Sequence, residues 1–270
     1  MKKVAWLTDL HLEFVRYEDE KQRLRALFEE LRSLAPDYIL IGGDTAVADS
    51  LERTMENLAA EFPVPIYFVL GNHDCYYGAI GDARNTSARL SEASDKLHWL
   101  TDAGVVPLSE KTALIGHDSW ADGRLGSGNQ SPVLLNDYRC IKDFECLRPK
   151  ERFELMNQLG DAAAKYVEEY LIKALKNYTE VIFLTHAPPF REACWHDGQI
   201  SEDDFLPHFT CKAVGDALRA TMKEHSSCNL TVLCGHTHGS GYAEILPNLV
   251  VKTGGAEYGH PKLQGIIELS

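Results

Sequence analysis

Nowhere among the 270 residues does an apolar run approach the roughly 20 positions that a membrane-spanning helix requires. No internal repeat or low-complexity stretch is present either. The seven cysteines are odd in number, scattered, and include no Cys-x-x-Cys pair, which speaks against a disulfide framework and suits free thiols in a reducing cytoplasm. Met1-Lys2-Lys3 opens onto a short apolar run, but Asp9 and His11 interrupt it and no small-residue cleavage site follows, so a signal peptide is not expected. Positive charge is scarce: 27 basic residues face 40 acidic ones, for a formal net charge of −13. Such a surface repels nucleic-acid polymers and anionic membranes, and leaves a small anion held by a local cation in a cleft as the anionic partner to expect.

What is present is ordinary globular composition, with 44% hydrophobic and 25% charged residues, and a length compatible with one α/β domain over residues 1–270. Apolar runs at residues 4–7, 37–41 and 66–70 read as strands. Helical spacing over 18–34 and 50–61 separates them, and alternation of this kind predicts βαβ crossovers and a largely parallel sheet. A helix is expected over 86–100 from Leu90, Ala93, Leu97 and Leu100, and a long amphipathic one over 150–176. Further strands are expected at 112–116, 181–184, 230–233, 243–246, 249–253 and 264–269, with a helix near 211–225. Between them, residues 121–149 and 190–209 lose all periodicity and are expected to form irregular loops that shape substrate access. Arg124, Arg139 and Arg148 in the first loop offer charge to a phosphate, although a solvated surface is the commoner fate of arginine.

Polar residues follow the strands abruptly. Gly71-Asn72-His73-Asp74 places an amide oxygen, an imidazole and a tight-turning glycine at a strand end; alone it also reads as a turn. Asp9-x-His11 follows the first strand, and two residues of an extended chain that are two apart face the same side. Gly43-Asp44 ends the second strand, where Asp44 is either a projecting ligand or a helix cap. Thr185-His186 is stiffened by Pro188 and Pro189, and Gly235-His236-Thr237-His238 carries two imidazoles after a buried strand. His117-Asp118 follows a strand as well, where an ordinary turn competes with a ligand role, and His117, Asp118 and Trp120 are expected to border the cleft. In α/β sheets, ligands gather at the carboxyl ends of strands, and carboxylate, amide and imidazole together suit a borderline divalent cation.

These five blocks, in this order from residue 9 to residue 238, resemble the calcineurin-like metallophosphoesterase superfamily. The resemblance implies a four-layer αββα sandwich of two mixed sheets flanked by helices. It also implies two divalent metal ions bridged by Asp44, with Asp9, His11 and His238 completing one site and Asn72, His186 and His236 the other. Mixed ligands of this kind admit Mn, Fe, Zn, Co or Ni. His73 corresponds to the catalytic histidine that steadies or protonates the reacting phosphoryl group. Val47 stands where the Ser/Thr protein phosphatase branch has an aspartate, and no histidine lies between Asp44 and His73 as in the nuclease branch. The expectation is therefore a cytoplasmic hydrolase of small phosphate esters, a phosphodiesterase using a metal-bridging hydroxide. A phosphomonoesterase on a small metabolite is the alternative, and a non-catalytic scaffold of the same fold is the third reading.

Overall fold

Alternation of side chains along each strand determines the layers. The computed structural model describes residues 1–269. Its first half runs β1 (Lys2–Leu7), α1 (Glu18–Leu34), β2 (Tyr38–Ile41), α2 (Ala48–Glu61), β3 (Ile66–Phe68), α3 (Ile80–Ala93), β4 (Leu97–Trp99), α4 (Leu100–Ala103), β5 (Val106–Pro107) and β6 (Thr112–His117). The second half adds α5 (Asp137–Cys140), α6 (Pro149–Leu175), β7 (Glu180–Thr185), β8 (Trp195–His196), β9 (Gln199–Ile200), α7 (Leu206–Phe209), α8 (Lys212–Glu224), β10 (Asn229–Cys234), β11 (Gly241–Leu246), β12 (Leu249–Thr253) and β13 (Gly265–Leu269).

One sheet has the order β13-β1-β2-β3-β4 and the other β11-β12-β10-β7-β6-β5. Their central pairs are parallel, while β13, β11 and β5 run antiparallel to their neighbours, so both sheets are mixed. Val4, Trp6, Leu40 and Tyr67 from the first sheet meet Leu114, Ile182, Leu184 and Leu233 from the second in a core between the sheets. The alternate residues Ala5, Leu7, Ile39, Ile41, Ile66 and Phe68 face outward, against Leu27 and Leu31 of α1 and Leu51 and Met55 of α2. Ala113, Ile115, Val181, Phe183, Leu230 and Val232 face α6 and α8 on the opposite side. Strands buried on both faces read as continuous apolar runs, which is why they are visible in the sequence. The result is the αββα sandwich.

Two local expectations are corrected. The helix expected over 86–100 lies at Ile80–Ala93, and Leu97 belongs to a strand, β4. Leu97 and Leu100 continue the helical spacing by coincidence. The chain leaves the helix at Ser94, whose hydroxyl accepts the N–H groups of Lys96 and Leu97 at 3.1 and 3.2 Å. Secondly, β1 stops at Leu7, so Asp9 and His11 do not share a face of extended chain.

His117 closes β6 beside Thr185 of β7 but belongs to none of the donor clusters described below. Its ring packs against Tyr166 at 5.0 Å, and its Nδ1 accepts the Ser119 N–H at 2.8 Å. Burial favours the neutral imidazole and lowers its pKa to about 4. An unfolded imidazole takes up its proton near 6.5, so between the two values the unfolded chain binds more protons. The contribution is fully present above about pH 6.5 and is lost as pH falls towards 4, by roughly 3 kcal/mol at most. Urea unfolding of the protein and of His117→Gln between pH 7.5 and 4.5 tests this. The advantage of the native residue should shrink by roughly 2–3 kcal/mol across that range, whereas a constant offset would show that its titration is not coupled to folding.

Candidate metal centre

The carboxyl ends of β1, β2, β3, β7 and β10 converge, and the chain turns sharply at each. Asp9, His11, Asp44, His236 and His238 all have positive φ, between 45° and 71°, a backbone region that non-glycine residues avoid. Such strain persists only where the surroundings over-determine it. The turns are locked to one another: Asp9 N–H donates to Gly43 O at 3.0 Å and His11 N–H to Asp44 O at 2.9 Å. Close approach demands glycine at two points. A Cβ on Gly71 would lie 2.1 Å from Asp44 Oδ1, and one on Gly235 would lie 1.9 Å from Asp9 Oδ2.

Three sets of donor atoms result, one of them formed by His11, Glu13 and His73 beside the other two. Asp9, His11, Asp44 and His238 each present one atom within 4.8 Å of all the others, and Asp44, His186 and His236 do the same. Asp44 is common to both. His11 Nε2 lies 3.0 Å from His238 Nε2 and 3.7 Å from Asp44 Oδ2, while His186 Nε2 lies 3.1 Å from Asn72 Oδ1 and 3.5 Å from Asp44 Oδ2. His73 stands beside them, with its ring 4.4 Å from that of His11. Thus the structure gathers all eight residues singled out in the sequence. His117 is not among them, and Arg124, Arg139 and Arg148 are engaged by Asp122 with Asp161, Asn136 and Glu151 respectively. Cys194 and His196 join no donor cluster among the described residues.

Outer partners set the orientation of these side chains. His186 Nδ1–H donates to Gly42 O at 2.8 Å, which leaves the Nε2 lone pair facing the amide oxygen and the carboxylate. His11 Nδ1 faces Glu13 Oε1 at 3.3 Å, so its Nε2 is likewise the acceptor, opposite another imidazole. Acceptors that converge in this way need a cation or a proton between them. In the metal-free site His186 holds a proton: burial opposes the charge, but the Asp44 carboxylate outweighs it and raises the pKa to about 10. The donor set therefore fits divalent metal, whose binding displaces protons.

Three residues of the site carry no signal in the sequence, and a fourth, Asp74, stands in the Gly71-Asn72-His73-Asp74 block without an assigned role. Asp137 accepts Asn72 Nδ2–H at 2.9 Å and Tyr76 O–H at 2.6 Å, which turns the Asn72 oxygen towards His186. Glu13 accepts His73 Nδ1–H at 2.9 Å, supplying a carboxylate where Val47 has none. Tyr258 packs its ring on His11 and His238 at 4.7 and 5.1 Å. Asp74, buried beneath the centre, accepts the N–H groups of Asp44, Thr45, Ala46 and Gly71 at 2.8–3.0 Å. Burial and the nearby Asp44 push its pKa up, and the N–H groups of Gly71 and Ala46 oppose that shift.

A family model described as calcineurin-like phosphoesterase matches residues 2–240. An uncharacterized protein of Acanthamoeba polyphaga mimivirus is 21% identical over 274 aligned positions, which span 97% of this chain and 93% of the viral one. Among solved structures, phosphopantetheinyl hydrolase from Mycobacterium tuberculosis superposes with a TM-score of 0.65 at 12% identity, over 97% of this chain and 95% of that one. A dimetal phosphatase from Danio rerio does so with 0.62 at 14% identity, over 98% and 91%. At these identities the two structures share the fold.

Replacing Asp74 tests the clamp beneath the centre. Asp74→Asn preserves shape but turns an NH2 group towards two backbone donors, so it should cost about 2–4 kcal/mol in urea unfolding, close to the cost of Asp74→Ala. A loss below about 1 kcal/mol for the isosteric variant would mean that the four hydrogen bonds are not holding the loops.

Proposed function

This chain belongs to the calcineurin-like phosphoesterase family, and we propose that it is a phosphodiesterase with two divalent cations, one held by Asp9, His11, Asp44 and His238 and the other by Asp44, Asn72, His186 and His236. The observation that carries this reading is the pair of donor clusters sharing the Asp44 carboxylate. Bound in such a site, two divalent cations supply the charge that holds a phosphate and lower the pKa of water from 15.7 towards about 7. Carboxylate, amide and imidazole donors admit Mn, Fe, Zn, Co or Ni.

The chain's own residues do the rest. His73 is steadied from three sides: its ring stacks on Tyr76 at 4.2 Å, its N–H donates to Asp44 Oδ1 at 2.8 Å, and its Nδ1–H donates to Glu13. Burial disfavours its charged form, yet Asp44 and Glu13 raise its pKa to about 9 in the metal-free site. With Nδ1 occupied, Nε2–H is the proton it can give to the departing alkoxide, a role worth about 10²–10⁴-fold. A diester is favoured over a monoester because the cavity beside the centre has no Lys or Arg among its described lining residues. Such side chains are the usual clamp on the second charge of a monoester dianion, whereas apolar wall is available for a second ester substituent.

Metal-stripped protein reconstituted with Mn²⁺ should cleave bis(4-nitrophenyl) phosphate faster than 4-nitrophenyl phosphate. Asp44→Asn should lose more than the roughly 10–100-fold typical of an outer partner. Faster monoester cleavage would replace the diesterase by a phosphomonoesterase, and no metal-dependent turnover of either would leave a non-catalytic scaffold. Glu13 has a separate signature. Glu13→Gln should lose little rate with a 4-nitrophenolate leaving group and about 10–100-fold with an alkoxide, because only the poor leaving group needs the proton of His73. An equal loss on both substrates would place the effect on His11 and the metal instead.

A further inference from the structure

A cavity of about 650 Å³ opens directly beside the centre, sharing Asp44, Asn72, His73, His236 and His238 with it. It extends well beyond the space a phosphate fills. Its far wall is apolar and aromatic: Leu135 comes from the 121–149 segment, Ile200, Phe205 and Phe209 from the β8–β9 hairpin and α7, and Tyr258 from the turn before β13. Phe209 lies 4.8 Å from the His236 ring and Tyr258 lies 4.7 Å from that of His11, so the wall begins where the donor clusters end. Phe205 and Tyr258 are 43% and 49% exposed, so both present ring surface to the cavity.

The charge of the cavity is one-sided. Asp137, Asp197 and Glu202 line it. Among the described lining residues none is Lys or Arg, and nearby Arg191 is paired with Asp203 at 2.5 Å. His196 is the remaining titratable group away from the centre: its Nδ1–H donates to Thr237 O at 3.0 Å, and its Nε2 is 3.8 Å from Asp197. Carboxylates around aromatic faces attract an ammonium and repel a phosphate. Building on the metal-dependent reading above, we propose that this cavity is a subsite for the organic part of the phosphoester, taking a group without negative charge, an ammonium-bearing one best, and rejecting a second phosphate.

Binding to the metal-free protein tests the subsite independently of catalysis. At about pH 10, above the pKa of about 9 at which the cavity-lining His73 holds its proton in the metal-free site, benzyltrimethylammonium should bind in calorimetric titration and benzylsulfonate should not. The double variant Asp197→Asn with Glu202→Lys should weaken the ammonium about 3–10-fold; asparagine is chosen because residue 197 has a positive φ of 46°. With Mn²⁺ loaded, three 4-nitrophenyl diesters of common leaving group complete the test, carrying choline, 2-phenylethanol or 2-phosphoethanol as the second alcohol. The order of kcat/KM should be choline, then phenylethyl, then phosphoethyl. The double variant should narrow that spread by slowing the choline ester relative to the phosphoethyl ester by about 3–10-fold. Sulfonate binding equal to ammonium binding, or an order unmoved by the variant, would overturn the subsite. Ammonium binding without any turnover would keep the subsite and reject the metal-dependent reading.

Discussion

A single buried carboxylate underlies the arrangement of the strand ends. Asp74 accepts four backbone N–H groups, three from the turn after β2 and one from the turn after β3. Both turns must leave their strands steeply, and neither can satisfy its amides within a regular ladder. Asp74 gives those amides a common acceptor, so the two turns move as one body. Asp44 and Asn72 ride on that body, and His73 N–H closes it by donating to Asp44 Oδ1. The first sheet thereby presents a preassembled half of the centre to the second sheet, which brings His186, His236 and His238.

The conformational cost of this arrangement is spread over the site. Five non-glycine residues sit at positive φ, each disfavoured by about 1–2 kcal/mol. Several acceptors also face each other across 3.0–3.7 Å. The two sheets offset that cost through a core with Leu40, Leu114, Leu184 and Leu233 fully buried. A cation in the proposed centre would relieve the facing acceptors, and metal binding would then add to stability by linkage. This is the usual balance at a functional site: a stable scaffold carries local strain that the ligand relieves.

Electrostatics separates the centre from its surroundings. The proposed ligand set contributes the charges of Asp9 and Asp44 against two divalent cations, leaving it positive. Everything around it is acidic, from the net charge of −13 to Asp137, Asp197 and Glu202 in the adjoining cavity. In the proposed function, attraction for an anion is thus confined to the reacting phosphate, and the rest of a substrate would meet aromatic and carboxylate surface. Glu13 and Asp137 use the same charge differently. Each accepts from the back of a side chain, His73 and Asn72 respectively, and so fixes which atom faces the reaction.

The sequence by itself determined most of the buried strands and the positions of the candidate ligands, while the two-sheet sandwich followed from the family resemblance. Strands buried on both faces write themselves as apolar runs, and Asp9, Asp44, Asn72, His186, His236 and His238 follow such runs within a few residues, so proximity to a strand end was a local signal. The helix of Ile80–Ala93 was misread because Leu97 and Leu100 fit its spacing, and a three-residue strand is too short to show its own period. Only the tertiary structure decided the partners of those ligands. Glu13 reaches His73 across 60 residues and Asp137 reaches Asn72 across 65, from segments with no periodicity of their own. Tyr258 enters the site from the turn before β13, far along the chain from the histidines it touches. Contacts of that kind depend on how the two sheets and their loops close on each other, and no local pattern of residues encodes that closure.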